Sequence, residues 1–270
     1  MKWIKLSLIV LLVLCTVGCV LTVGWQRYTQ KNDPPVIRAD ESLLTVSVAD
    51  DESVLLRGVR ASDTQDGDLT DQVIVAGISK LISRDTAKVS YLVFDSDNNM
   101  GSLTRMIRYT DYEKPRFSLA EPLVYSLNQE IVPTEKLKAT DVLDGDITES
   151  VRISTLNLSE AAGVYTITAQ VTNRMGDTAR VELPVVLWET ADDRAVITLK
   201  SGLVYIRKGD AFKAESYLAK VTDPNKKSPS LSDVKITGEV DSSCEGTYRV
   251  TYSYGTGSRA GMAVLTVIVQ

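Results

Sequence analysis

The sequence predicts an all-β protein: three tandem β-sandwich modules preceded by one transmembrane α-helix. Three observations lead there. A charge-free apolar run lies near the N-terminus, a short acidic motif recurs with the same internal spacing, and the remainder is made of alternating runs rich in Val, Ile, Thr and Tyr. The 270 residues exceed a usual single domain, so internal repetition governs the reading of everything that follows.

The first element is the run Leu6 to Trp25, LSLIVLLVLCTVGCVLTVGW. At ~1.5 Å per residue, about twenty residues without a charge span the roughly 30 Å hydrocarbon core as a helix. Trp3 and Trp25 flank it where amphipathic rings prefer the interface, and Lys2 and Lys5 put positive charge on the short side. These features predict a cytoplasmic tail over 1–5, a membrane helix over 6–25 and a polar linker over 26–33, with the C-terminal modules extracellular. A cleaved signal peptide is disfavoured because no alanine precedes Ala39. Lipidation is an alternative anchor: Val17-Gly18-Cys19 resembles the end of a bacterial lipobox, although Thr16 departs from that pattern.

The next elements come in copies. Ala61-Ser-Asp-Thr-Gln-Asp-Gly-Asp-Leu-Thr-Asp-Gln-Val73 matches Ala139-Thr-Asp-Val-Leu-Asp-Gly-Asp-Ile-Thr-Glu-Ser-Val151, and Val93-Phe-Asp95 falls opposite Val171-Thr-Asn173. A third copy begins at Ala195, where Gly202-Leu-Val-Tyr205 echoes Pro122-Leu-Val-Tyr125 and Gly246-Thr-Tyr-Arg-Val-Thr-Tyr252 parallels Gly163-Val-Tyr-Thr-Ile-Thr-Ala169. It has lost the Asp-Gly-Asp signature and carries Asp223-Pro-Asn-Lys-Lys-Ser-Pro229 in its place. The expected modules are 34–111, 112–190 and a diverged 191–270. Within each, period-2 alternation bounded by Gly, Asn, Asp and Pro reads as strands with one face inward, and several per module fit two stacked sheets. Short helical turns are expected near Thr134 to Leu137 and Glu215 to Ala219.

The acidic element at Ala61 to Thr70 and Ala139 to Thr148, with the strand of Gly163 to Asn173 and its partner at Gly246 to Tyr252, resembles bacterial immunoglobulin-like domains. The similar families are an insecticidal crystal protein type and a related domain of unknown function, found in surface proteins of Gram-positive bacteria. The resemblance covers about 34–270 and departs in the third copy at the acidic turn. It implies an immunoglobulin-like sandwich on a cell surface and no single ligand.

Two readings of Asp63, Asp66, Asp68, Asp141, Asp144 and Asp146 stand side by side. Clustered carboxylates at a glycine turn are candidates for calcium, a hard cation that takes oxygen ligands. The same residues also build a self-satisfied turn, since Asp accepts from backbone amides two residues on and glycine supplies the positive φ. The twelfth loop positions counted from Asp63 and Asp141 hold Ile74 and Arg152, which leaves a helix-loop-helix calcium set incomplete and favours the structural turn.

Composition narrows the function classes. With 35 acidic and 30 basic side chains the net charge is −5, which argues against a nucleic-acid partner. Histidine is absent, so Ser-His and Cys-His catalysis is excluded, and a tight acidic turn offers no cleft for glycoside hydrolysis; no enzyme is expected. Of 3 cysteines, Cys15 and Cys19 lie in the apolar run and Cys244, expected to be partly buried, is alone in the body. Tyr125, Tyr205, Tyr248, Tyr252 and Tyr254 read mainly as strand residues, with Tyr252 and Tyr254 hinting at an exposed pair. The expected function is a membrane-anchored stalk or adhesion module, on the order of 100 Å long, with the lipid bilayer and a surface protein or glycan as partners and no cofactor beyond the calcium candidate. An accessory subunit that partners through its membrane helix is the alternative.

Overall fold

The computed structural model describes residues 2–29, 33–154, 161–190 and 193–270, with the side chains of the first segment from 10 to 25. Helix α1 (Lys2–Thr29) contains the expected span. Every described side chain on it is exposed, Leu11 at 59% and Leu21 at 65% among them. Among the described residues no helix is long and apolar enough to cross a membrane.

The rest is all-β, arranged as sandwich-type pairs of sheets, and the chain divides into two compact units, 1–108 and 109–270. The first unit contains β1 (Val36–Ala39), β2 (Leu43–Val46), the single helical turn α2 (Glu52–Leu55), β3 (Val59–Asp63), β4 (Gly67–Asp68), β5 (Ile74–Ile78), β6 (Thr86–Phe94) and β7 (Met100–Tyr109). The sheets run β1-β3-β4 and β2-β7-β6-β5. Alternation sets the register. Ile37 faces Ala61 across β1 and β3, and these buried side chains share the core with Val89, Tyr91, Val93 and Ile107 of the other sheet. Tyr91 is fully buried, and its hydroxyl donates to Leu55 O at 2.6 Å, which satisfies the one polar atom it carries inward.

The second unit holds two sandwiches. The earlier one comprises β8 (Arg116–Leu119), β9 (Leu123–Ser126), β10 (Leu137–Asp141), β11 (Gly145–Asp146), β12 (Arg152–Ser154), β13 (Gly163–Thr172) and β14 (Thr178–Trp188), in sheets β11-β10-β8 and β12-β13-β14-β9. The later one comprises β15 (Val196–Leu199), β16 (Leu203–Ile206), β17 (Leu218–Thr222), β18 (Lys235–Thr237), β19 (Gly246–Tyr254) and β20 (Gly261–Val269), in sheets β15-β17 and β16-β20-β19-β18. Both contain one parallel pair at the same place, β9 with β14 and β16 with β20. The expected helical turns are 3-10 turns at Pro133–Glu135 and Ala214–Tyr217.

The last two sandwiches share packing. Leu203 belongs to the buried cluster that holds Phe117, Leu119, Leu137 and Leu183, with Tyr205 and Ile268 packed against it. Gly202 N donates to Leu119 O at 2.7 Å, and a Cβ at Gly202 would lie 2.7 Å from Leu119 Cδ2 and 2.8 Å from Glu121 O, so only glycine permits this approach.

Two expectations are corrected here. Tyr252 is fully buried, because its place in the β19 alternation faces the core, and its hydroxyl donates to Ala214 O at 2.7 Å; Tyr254 is half-buried, so no exposed tyrosine pair forms. Cys244 is exposed, because it sits in the turn before β19 and not on an inward strand position.

Candidate functional site

The repeated acidic residues sit where the short strands β4 and β11 turn back. Asp63 Oδ1 accepts from the N–H of Gln65 at 2.7 Å and of Asp66 at 3.0 Å, and Asp141 Oδ1 accepts likewise from Leu143 and Asp144 at 2.9 and 3.0 Å. Gly67 and Gly145, at φ 76° and 71°, then allow the chain to reverse. Asp68 and Asp146 each accept from the amide of Thr70 or Thr148, both at 2.9 Å. Those threonine hydroxyls in turn accept from the amides of Ala61 and Ala139. The donors stabilise the charged form. Thr70 and Thr148 hold Asp68 and Asp146 below the ordinary carboxylate pKa, and the amides of Asp66 and Gln65 do the same for Asp63.

The middle aspartate of each motif reaches across to the other sheet. Asp66 Oδ2 accepts from Ser96 N at 2.7 Å and Oδ1 from Ser96 Oγ at 2.8 Å. Asp144 Oδ2 accepts from Arg174 N at 2.7 Å, and Arg174 Nε lies 2.8 Å from Oδ1 but off the N–H axis, so that contact is an ion pair rather than a directed hydrogen bond. Ser96 and Arg174 occupy the turns β6–β7 and β13–β14. Each motif is therefore a clasp between the two sheets at one end of its sandwich. In the second sandwich Asn173 Nδ2 extends the network to Asp141 at 3.0 Å and to the Tyr112 hydroxyl at 2.9 Å, and that hydroxyl donates to Asp177 at 3.0 Å.

Among the described residues no three acidic or thiol side chains converge as a metal site. The six candidate aspartates fall into two sets on different sandwiches, and each has at least one oxygen engaged by an amide, a hydroxyl or Arg174. At the twelfth positions Ile74 is an exposed apolar side chain, while Arg152 donates to Glu149 O and Val151 O.

Among the described residues the third sandwich has neither a β4 counterpart nor a clasp. Asp223 Oδ1 accepts from Asn225 N and Lys227 N at 2.9 and 2.7 Å, and Lys226 takes φ 64°. That is the form of the β6–β7 turn, where Asp95 Oδ1 accepts from Asp97 and Asn99 and Asn98 sits at φ 63°.

A feature the sequence did not mark lies between the second and third sandwiches. A cleft of about 250 Å³ opens beside β9 and β15, lined by Glu121, Tyr125, Gln129, Lys136, Trp188 and Arg194 together with apolar residues that include Val196 and Met262. The Arg194 guanidinium stacks 4.2 Å from the Trp188 ring and its Nε donates to Thr190 O at 2.9 Å. Lys136 Nζ sits 4.9 Å from the Tyr125 ring centre and 2.8 Å from Glu121 Oε1. Tyr125 is 8% exposed, and its hydroxyl is buried with no hydrogen-bond partner among the described residues. An unmet buried hydroxyl costs about 1–3 kcal/mol. Burial first, then the charges of Glu135 and Glu121, push its pKa up to about 12, so the phenol keeps its proton. Three of the other strand tyrosines have structural partners: Tyr165 and Tyr248 each donate to the carbonyl four residues back, Ala161 and Cys244, and Tyr205 accepts from Phe117 N at 3.3 Å.

Comparison with known proteins adds one sequence-level match: residues 198–267 fit the family model described as bacterial surface protein, Ig-like domain. No curated protein matches the chain. Among solved structures, a carbohydrate-binding module in complex with GlcNAc and INT domains from Clostridium perfringens ZmpB is 15% identical over 56% of this chain and 41% of that one, with a TM-score of 0.24. Drosophila N-cadherin EC1-3 is 12% identical over 87% of this chain and 99% of that one, at 0.32. The chain spans less than half the length of the clostridial chains it matches. Likenesses of this order identify neither a ligand nor a partner.

Proposed function

We propose that this chain is a membrane-anchored bacterial cell-surface protein whose sandwiches act as a stalk and adhesion module for a protein or glycan partner, without catalysis. The cleft between the second and third sandwiches is the observation that carries the binding role, because it combines fixed charges, an aromatic ring and an unmet buried hydroxyl in one concave site. The match of 198–267 to a surface-domain model supports the location. The anchor in this proposal is α1: its described side chains, 10 to 25, are too few to make a span by themselves, but an apolar surface there with every side chain exposed is costly in water and satisfied in lipid. Gly18 and Gly24 have no atom within 4 Å of a built Cβ, so the helix surface at each is also open to another helix, which keeps partnering within the membrane as a second reading.

Fractionation of bacteria expressing the full chain tests this. The proposal expects the protein in the membrane pellet after an alkaline carbonate wash, and loss of the sandwiches when protease is added to intact cells. Release by carbonate, or complete protection from protease, would overturn it.

A further inference from the structure

We propose that the cleft between the second and third sandwiches binds a single pyranose ring of a saccharide, with the Tyr125 hydroxyl as the group that senses it. This deepens the surface-binding reading and rests on it.

The size of the cleft selects a small ligand. About 250 Å³ is just below the ~300–1,000 Å³ usual for ligand pockets, which suits one sugar ring better than a run of peptide. Its polar groups select the chemistry. Within one small site stand an acceptor carboxylate on Glu121, donors on Lys136 and Arg194, an amide on Gln129 and a neutral phenol on Tyr125. A ligand whose groups both donate and accept answers all of these from adjacent positions, and vicinal hydroxyls do so.

The donors are also set in advance. Arg194 is fixed by Trp188 and Thr190 O, and Lys136 by Glu121 and the Tyr125 ring, so little side-chain freedom is lost on binding. Val196 and Met262 supply an apolar wall for the C–H face of a ring. Among the described residues of the cleft, the Tyr125 hydroxyl is the buried polar atom without a partner; it sits just behind the wall, and a small shift of that wall on binding would let a ligand hydroxyl supply the acceptor its O–H is missing.

The test uses the full chain in a detergent without a sugar headgroup. Saturation-transfer NMR is run with free hexoses, N-acetylhexosamines and hexuronic acids in turn, and with a mixture of short random peptides. The inference expects saturable binding of at least one of the sugars, weakened about tenfold in Tyr125→Phe and in Gln129→Ala while the melting temperature of Tyr125→Phe stays the same or rises. The Gln129 side chain is exposed, so its variant keeps the test valid if the buried one unfolds.

Three results would overturn the inference: no saturable binding of any of these sugars, equal binding by the variants, or saturable peptide binding in their place. Each would leave the surface reading intact if the protease and carbonate results stand, whereas failure of those assays with sugar binding intact would overturn the location alone.

Discussion

The first two sandwiches fasten their own sheets together, whereas the third is fastened to its neighbour. In the former, Asp66 and Asp144 each carry a carboxylate from the β3–β4 or β10–β11 hairpin to the turn of the opposite sheet. In the third, Asp223 stabilises only its own turn, while Gly202 N and Ser201 Oγ bond to Leu119 O and Leu203 sits in the second sandwich's core. The difference shows that the acidic motif is not intrinsic to the sandwich. A copy lacking the internal clasp stands beside one that offers docking surface, and the same pair of copies encloses the cleft.

Breaking the docked side of that comparison should have the largest effect. Leu203→Ala removes a side chain that is 5% exposed and should cost about 2–5 kcal/mol. The loss should appear as earlier unfolding of the second and third sandwiches together, read by hydrogen exchange of the Leu119 and Gly202 amides during a denaturant series. Destabilisation confined to β15–β20 would show that Leu203 serves only its own sandwich.

Breaking the clasped side comes next. Asp144→Ala leaves Arg174 N without its acceptor and removes a charge-assisted bond, with an expected loss of about 1–3 kcal/mol in the second sandwich. Melting of the parent chain should be the same with calcium and with chelator, because each aspartate already has an oxygen held by a protein donor and the carboxylates of the two motifs do not converge. A calcium-dependent rise that vanishes in Asp66→Asn and Asp144→Asn would instead make the motif an ion site. The matched change in the third copy, Asp223→Ala, should cost about 0.5–1.5 kcal/mol and stay within its turn, since its side chain accepts from Asn225 and Lys227 of that same turn.

How far the sequence disclosed this arrangement depends on the range of each interaction. Alternation exposed the strands, and the Asp-Gly-Asp spacing exposed the turn, because both are local patterns. The clasp was not legible: Ser96 lies thirty residues from Asp66 and Arg174 thirty from Asp144, and a serine and an arginine at matching places share no visible motif. The cleft was hidden for the same reason. Tyr125 comes from β9, Trp188 from the end of β14 and Arg194 from the segment before β15, and only docking of two copies brings them together. Tyr252 was misread because its neighbours Tyr254 and Gly255 suggest a loop edge, while its hydroxyl finds Ala214 O across the core.

The smallest predicted effect sharpens the comparison through acid. Asp63, Asp68 and Asp146 all lie below the ordinary value of 3.8 when folded, because N–H and hydroxyl donors favour their charged forms. A carboxyl depressed by folding adds stability above its unfolded pKa and loses it as pH falls toward the folded one, so their contribution is present at neutral pH and fades below about pH 4. The third sandwich has one such group, Asp241, held down first by Ser243. Lowering the pH from 5 to 3 should therefore weaken the acidic hairpins of the first two sandwiches, seen as faster amide exchange at Thr70 and Thr148. Asp68→Asn and Asp146→Asn should flatten that pH dependence while changing neutral-pH stability only slightly, since both side chains are exposed and screened by solvent. An unchanged acid slope in these variants would show that these two carboxylates do not carry the acid sensitivity.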